Sequence, residues 1–207
     1  FTPERVQEAI NELNAHTAPG HDGWTAEYVK VVGMELKEEN ERGELELMPS
    51  SLAKLLSRVF HECARDHDLM DCMKESVVSL IYKNKGVRHN LKYYRPIAVS
   101  SVFYRVMAKT MVIALRPLLS QIVSTCQKAF QPDQHISELI RFVQDLIDYC
   151  DAEDVSGLLL FCDQDNAYPR VDWEFMFGAM ETMNVHPEFV QLVRVMYTGV
   201  RLHFKVN

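Results

Sequence analysis

Apolar residues recur at every third or fourth position in several stretches of the chain, and each stretch predicts an amphipathic helix. Thr2 is a good N-cap and Pro3 a good first helical residue, and Val6, Ala9, Ile10 and Leu13 follow on one face. Thr25 is placed to cap a short helix through Tyr28 and Val32. Ser50 or Ser51 caps the next, with Leu52, Leu55, Leu56, Val59, Phe60 and Cys63 as its apolar stripe. Phe103, Met107, Met111, Ala114 and Leu115 predict a long helix with Pro117 near its end. Ile136, Leu139, Ile140, Val143, Leu146 and Ile147 form the clearest amphipathic pattern of all. Asp172 caps a helix bearing Phe175, Met176, Ala179 and Met180, and Pro187 opens another with Phe189, Val190, Val193 and Tyr197.

Strand patterns are fewer. Residues 76–82 are a short β-prone run, and residues 200–206 alternate in a way that predicts a strand. Residues 157–162 (Gly-Leu-Leu-Leu-Phe-Cys) are continuously apolar over a strand's length, which predicts a central buried strand. Residues 18–23 read as a turn-rich loop, residues 36–49 as a mobile acidic loop, and residues 83–94, with Gly86 and Asn90, as a further loop. Many helices with few strands predict a helix-rich α+β fold. No run of eighteen apolar residues is present, so no membrane span is expected. The N-terminus lacks both a secretory pattern and an initiator Met, which suggests a piece of something longer.

Hydrophobic residues at 47% and charged residues at 25% exclude a disordered tail or a coiled coil. The formal charge of −7 argues weakly against a phosphate-binding surface, but the charge is unevenly spread. Residues 74–109 hold eight basic residues (Lys74, Lys83, Lys85, Arg88, Lys92, Arg95, Arg105 and Lys109) against the single acid Glu75, a net +7. That segment is either a basic patch or a solvated Lys-rich loop. Five cysteines, an odd number without a Cys-x-x-Cys pair, suggest a reduced intracellular protein with buried thiols. His61, Cys63, His67 and Cys72 match no common zinc spacing, so zinc is not expected there.

Asp163 directly follows the apolar run 157–162. A carboxylate at the end of a core strand is a common place for a metal ligand, and equally a common way to end a strand at the surface. Four segments, in order, carry more. They are Ala18-Pro-Gly-His-Asp-Gly-Trp-Thr-Ala-Glu-Tyr28; Leu80-Ile-Tyr-Lys-Asn-Lys-Gly86 with Tyr94-Arg-Pro-Ile97; Gln127-Lys-Ala-Phe-Gln-Pro132; and Leu160-Phe-Cys-Asp-Gln-Asp-Asn-Ala-Tyr-Pro-Arg-Val-Asp-Trp173. Together they resemble the reverse transcriptase domain of non-LTR (LINE-like) retrotransposons.

The resemblance implies helix-rich fingers over residues 1–156 and the first part of a right-hand polymerase palm over 157–207, an incomplete α+β fold. It implies two Mg²⁺ ions, an RNA template, a DNA primer and deoxynucleoside triphosphates, and a nuclear location, with no membrane. Asp163 then corresponds to the first metal-binding aspartate, with the backbone carbonyl of Gln164 as a further ligand. Tyr168 corresponds to the residue that stacks under the deoxyribose and excludes a 2′-hydroxyl. The amides of Asn166 and Ala167 would contact the triphosphate, and Lys83 and Arg95 would clamp it.

This sequence departs from the family pattern at four places: Asn166 replaces Lys, Pro169 replaces Asp, Ala129 precedes Phe130 in place of Gly, and Gln134 replaces Arg. Pro169 is expected to bias Tyr168 toward extended backbone, and Ala129 to strain its turn if positive φ is required there. The second metal-binding motif and the thumb would lie beyond Asn207, so the remainder of the palm is expected to be missing and this chain to be inactive alone. The substitutions at Asn166 and Pro169 leave open a non-catalytic nucleic-acid-binding remnant. The third reading is an unrelated helical protein-interaction domain whose motifs match the family by chance.

Overall fold

The computed structural model describes residues 1–39, 45–129, 134–164 and 167–205. The first half contains α1 (Pro3–Asn11), α2 (Ala26–Val32), β1 (Leu36–Glu39), β2 (Leu45–Met48), α3 (Ser51–Asp66), α4 (Asp71–Lys74), β3 (Glu75–Tyr82) and β4 (Tyr94–Ser100). The second half contains α5 (Val102–Ile122), α6 (Ile136–Ala152), α7 (Trp173–Thr182), α8 (Pro187–Tyr197) and β5 (Arg201–Phe204). Helices alongside small sheets make this an α+β fold, as expected. Two compact units result: residues 1–114 with 186–207, and residues 115–185.

In the first unit, caps set the helix starts. Thr2, Thr25 and Ser50 accept from the amides of Arg5, Tyr28 and Ala53, satisfying N–H groups that have no partner within their own helix. The buried faces of α1 (Val6, Ala9, Ile10) and α3 (Ala53, Leu56, Phe60, Cys63) meet Val102, Val106 and Met107 of α5 in one core. Phe60 is completely buried, and the Phe1 ring meets it edge-on with centroids 5.3 Å apart. A buried polar side chain crosses this core without loss. Gln7 donates to the Gly33 carbonyl at 2.7 Å and to Asn11 at 3.0 Å. Its Oε1 accepts from the Ser50 amide and hydroxyl at 3.0 and 2.8 Å. Each hydrogen-bonding site of the amide is thereby used, which offsets the cost of burying it.

A three-stranded sheet in the order β4-β3-β5 places β3 at its centre, antiparallel to β4 and parallel to β5. Ser76 and Val78 of β3 face the core, so Glu75 and Val77 lie on the other face. The loop between α1 and α2 is docked onto this sheet by close backbone approach. A Cβ on Gly20 would lie 2.5 Å from Ser101 Cα and 2.7 Å from Ser101 N, where no side chain can give way. Arg105 holds the same loop, donating to Thr17 Oγ1 at 2.8 Å and to the Ala18 carbonyl at 3.3 Å. Gly20→Ala is therefore expected to lift the loop and to cost at least about 1–3 kcal/mol. A thermal melt beside Gly23→Ala, whose Cβ meets nothing within 4 Å, checks it; Gly23 sits at φ +75°, so its loss reports backbone strain alone.

Three expectations are corrected. Residues 36–49 contain an antiparallel hairpin, β1 with β2, in the register Leu36↔Met48 to Glu39↔Leu45, rather than a loop throughout. Charged residues read as solvated on any scale, yet one side of a two-stranded ribbon is solvated anyway. β4 was not expected as a strand, although Pro96 falls within it; as an edge strand it tolerates a residue without an amide hydrogen. Of the five cysteines, all free, only Cys63 is buried, and Cys72, Cys126 and Cys162 are exposed. Burial pushes the Cys63 thiol up, which keeps it protonated and unreactive.

The second unit is less enclosed. α6 forms where expected, but none of its residues is buried. Its apolar side, Val143, Leu146, Ile147 and Cys150, and residues 154–159 line an open groove of about 670 Å³. α7 begins at Asp172, whose carboxylate accepts from the Phe175 amide at 2.8 Å. No described helix is long and apolar enough to cross a membrane.

Candidate functional site

The ribbon of β3 and β4 carries the densest positive charge. Its ladder runs from Ser76↔Ser100 to Tyr82↔Tyr94 and is continued by Lys83 N–H donating to the Tyr93 carbonyl at 2.8 Å. Opposed residues in an antiparallel ladder share a face, so Arg95, paired with Ile81, lies on the same side as Lys83 two residues further along. The sequence spacing of twelve residues becomes proximity on one face only through this register.

The connecting loop is built rather than slack. Tyr82 and Tyr94 pack with ring centroids 5.4 Å apart, and Arg88 lies over the Tyr82 ring at 5.2 Å. Tyr82 Oη donates to the Gly86 carbonyl at 2.6 Å and Tyr94 Oη to the Arg88 carbonyl at 2.9 Å. Gly86 has φ +74°, and a Cβ there would overlap the Tyr93 ring at 2.3 Å. Lys83 Nζ donates to the Lys92 carbonyl at 3.1 Å, which aims the ammonium along the loop.

The eight cations of the basic segment then separate by role. Lys74 pairs with Asp68 at 2.8 Å, Lys109 with Glu12 at 2.8 Å, and Arg105 braces the loop at Thr17. Lys83, Lys85, Arg88, Lys92 and Arg95 all lie on the hairpin, and among the described residues none of them pairs with a carboxylate. Five unneutralised cations on one ordered ribbon, interleaved with tyrosines, form a surface for polyanions.

Asp163 lies in the other unit. The apolar run before it is not a strand: residues 157–164 are irregular, with Leu158 93% and Phe161 80% exposed. A strand exists only as part of a ladder, and among the described residues no strand pairs with this run, so hydrophobicity alone does not make it one. Asp163 is exposed, and its carboxylate has neither an ion pair nor a hydrogen bond among the described residues. Gln164 is exposed as well. Their oxygens are hard donors free to take a divalent cation, one carboxylate's share of such a site. Asn166 and the neighbouring Asp165 lie outside the described residues.

Ala167 precedes a 3₁₀ turn over Tyr168–Arg170, closed by Arg170 N–H donating to the Ala167 carbonyl at 3.2 Å. Tyr168 thus opens a turn instead of adopting the extended backbone expected before Pro169. A proline in the first turn of a helix lacks only an amide that has no partner there. The Tyr168 ring is 80% exposed. Ala129 is not among the residues with positive φ, so its methyl costs no strain. Gln134 accepts from Lys128 Nζ at 2.6 Å, and Glu138 neutralises the same ammonium at 2.7 Å, where an arginine at 134 would repel it. The structure thus unites Lys83 with Arg95 in one unit and Asp163 with Gln164, Ala167 and Tyr168 in the other.

Residues 81–207 match the family described as reverse transcriptase (RNA-dependent DNA polymerase). The Xenopus laevis "Transposon TX1 uncharacterized 149 kDa protein" is 24% identical over 207 residues, which is 100% of this chain and 14% of that protein. The chain therefore spans a small part of that relative's length.

Proposed function

The chain belongs to the reverse transcriptase (RNA-dependent DNA polymerase) family, and from that premise we propose that it serves RNA-directed DNA synthesis in a non-LTR retrotransposon. In this role residues 1–156 act as fingers and 157–207 as the first part of the palm. The partners are an RNA template, a DNA primer and deoxynucleoside triphosphates. One observation carries the reading: within the matched region, the hairpin cations have no acidic partner among the described residues and so can meet phosphates.

Lys83 and Arg95 bind phosphate oxygens, Lys83 as a point charge and Arg95 through its planar fork. The amides of Asn166 and Ala167 donate to the triphosphate. The exposed Tyr168 ring offers a face for the deoxyribose and a steric stop for a 2′-hydroxyl. Asp163 and the Gln164 carbonyl would hold Mg²⁺, which would supply Lewis-acid activation of a primer hydroxyl and charge neutralisation at the leaving pyrophosphate. A second reading, a nucleic-acid-binding remnant without catalysis, is favoured by Asn166 and Pro169, where the resemblance implies Lys and Asp.

The test is binding of an RNA–DNA primer–template by the chain at several salt concentrations. If each hairpin cation neutralises one phosphate, the logarithm of affinity falls against the logarithm of salt with a slope of about −4. Lys83→Ala with Arg95→Ala reduces that slope by roughly 1.5–2. Salt-independent or absent binding overturns both readings and favours a protein-interaction domain.

A further inference from the structure

We propose that His21, Glu75 and His203 form a three-ligand site for a divalent transition metal of the zinc class. The residues come from three segments of the first unit: the loop docked by Gly20, the first position of β3, and β5. Glu75 pairs in register with Arg201, and Val77 with His203, so Glu75 and His203 share the sheet face turned away from Ser76 and Val78. Their positions, 54 and 128 residues apart in sequence, leave no spacing motif.

The donor geometry suits a metal. His21 Nε2 and His203 Nε2 both approach the same oxygen, Glu75 Oε2, at 3.1 and 3.4 Å. Ligand atoms of a tetrahedral zinc, each about 2.0–2.1 Å from the ion, stand roughly 3.3 Å apart. All three donor atoms lie within 4.8 Å of one another. The two imidazoles are stacked, with centroids 4.7 Å apart and planes 10° from parallel; since a metal lies in the plane of each ring that ligates it, one of these half-exposed rings turns out of the stack when the ion binds.

Electrostatics favours a metal over an ion-pair cluster. Arg201 already occupies the other carboxylate oxygen, with Nη2 3.2 Å from Glu75 Oε1. Protonating both stacked histidines would gather three cations around one carboxylate. A bound metal instead takes two neutral imidazoles and an ionised carboxylate, so its own charge replaces those of the protons. Two nitrogens and one oxygen suit zinc and exclude Mg²⁺, which prefers oxygen donors. The histidines are about half exposed, so a fourth position opens to water. Bound metal would fasten the loop and β5 to β3, and the site is independent of the polymerase reading.

The experiment is calorimetric titration of the 207-residue chain with Zn²⁺ after alkylation of exposed thiols, beside visible absorption of its Co²⁺ complex. We expect one ion per chain, a tetrahedral Co²⁺ spectrum, and a melting temperature raised by Zn²⁺ but not by Mg²⁺. His21→Ala and His203→Ala each weaken binding at least ~10-fold while circular dichroism stays native. Arg201→Gln, which frees Glu75 Oε1, tightens it. Absence of Zn²⁺ binding overturns the proposal, as does binding that survives both histidine variants. A chain that gains stability as pH falls through the histidine range yet ignores Zn²⁺ also overturns it, since the cluster is then an ion pair only.

Discussion

Phe60→Ala should lower the unfolding free energy of the first unit by about 3–5 kcal/mol, the range for emptying a buried phenylalanine site. Phe60 is fully buried where α1, α3 and α5 meet, and Phe1 packs against its ring. The neighbours that would have to collapse into the cavity are held on three helices, so relaxation recovers little. Leu55, on the same helix but 57% exposed, is the control: Leu55→Ala should cost no more than about 0.5 kcal/mol. Urea titration with a probe in the first unit reads both. Equal losses, or a Phe60→Ala loss below that of Leu55→Ala, would mean that this core does not carry the unit's stability.

What the sequence made legible was local. Thr2, Thr25, Ser50 and Asp172 all cap the helices expected of them, because a cap needs only its own next three residues. The central strand β3 was visible from β-branched and apolar residues in a short run. What failed was non-local. Residues 157–162 have the composition of a buried strand, but pairing partners decide whether a strand forms, and composition does not name them. β4 was hidden by Pro96, which is forbidden inside a sheet and permitted at its edge; the sequence does not say which applies. His21, Glu75 and His203 were invisible for the same reason, since only the parallel pairing of β3 with β5 and the seating of Gly20 bring them together. The candidate phosphate site was half legible. The +7 segment showed in the sequence, whereas the pairing that withdraws Lys74 and Lys109, and leaves the hairpin cations without a carboxylate among the described residues, required the fold.

The largest functional effect expected is at Asp163. It is exposed and has no ion pair or hydrogen bond among the described residues, so replacing it removes none of the contacts described and its loss reads on chemistry. A single oriented hydrogen-bond donor to a transition state is worth roughly 10²–10³ in rate, and a carboxylate that holds a catalytic cation is worth at least as much. The decisive measurement is primer extension on an RNA template, with Mg²⁺, by a reverse transcriptase in which residues 81–205 of this chain replace the matched segment. Incorporation that Asp163→Ala reduces by at least ~10²-fold, with primer–template binding unchanged, is the expected result. Incorporation indifferent to Asp163→Ala would contradict it, as would a folded chimera that binds primer–template and adds no nucleotide.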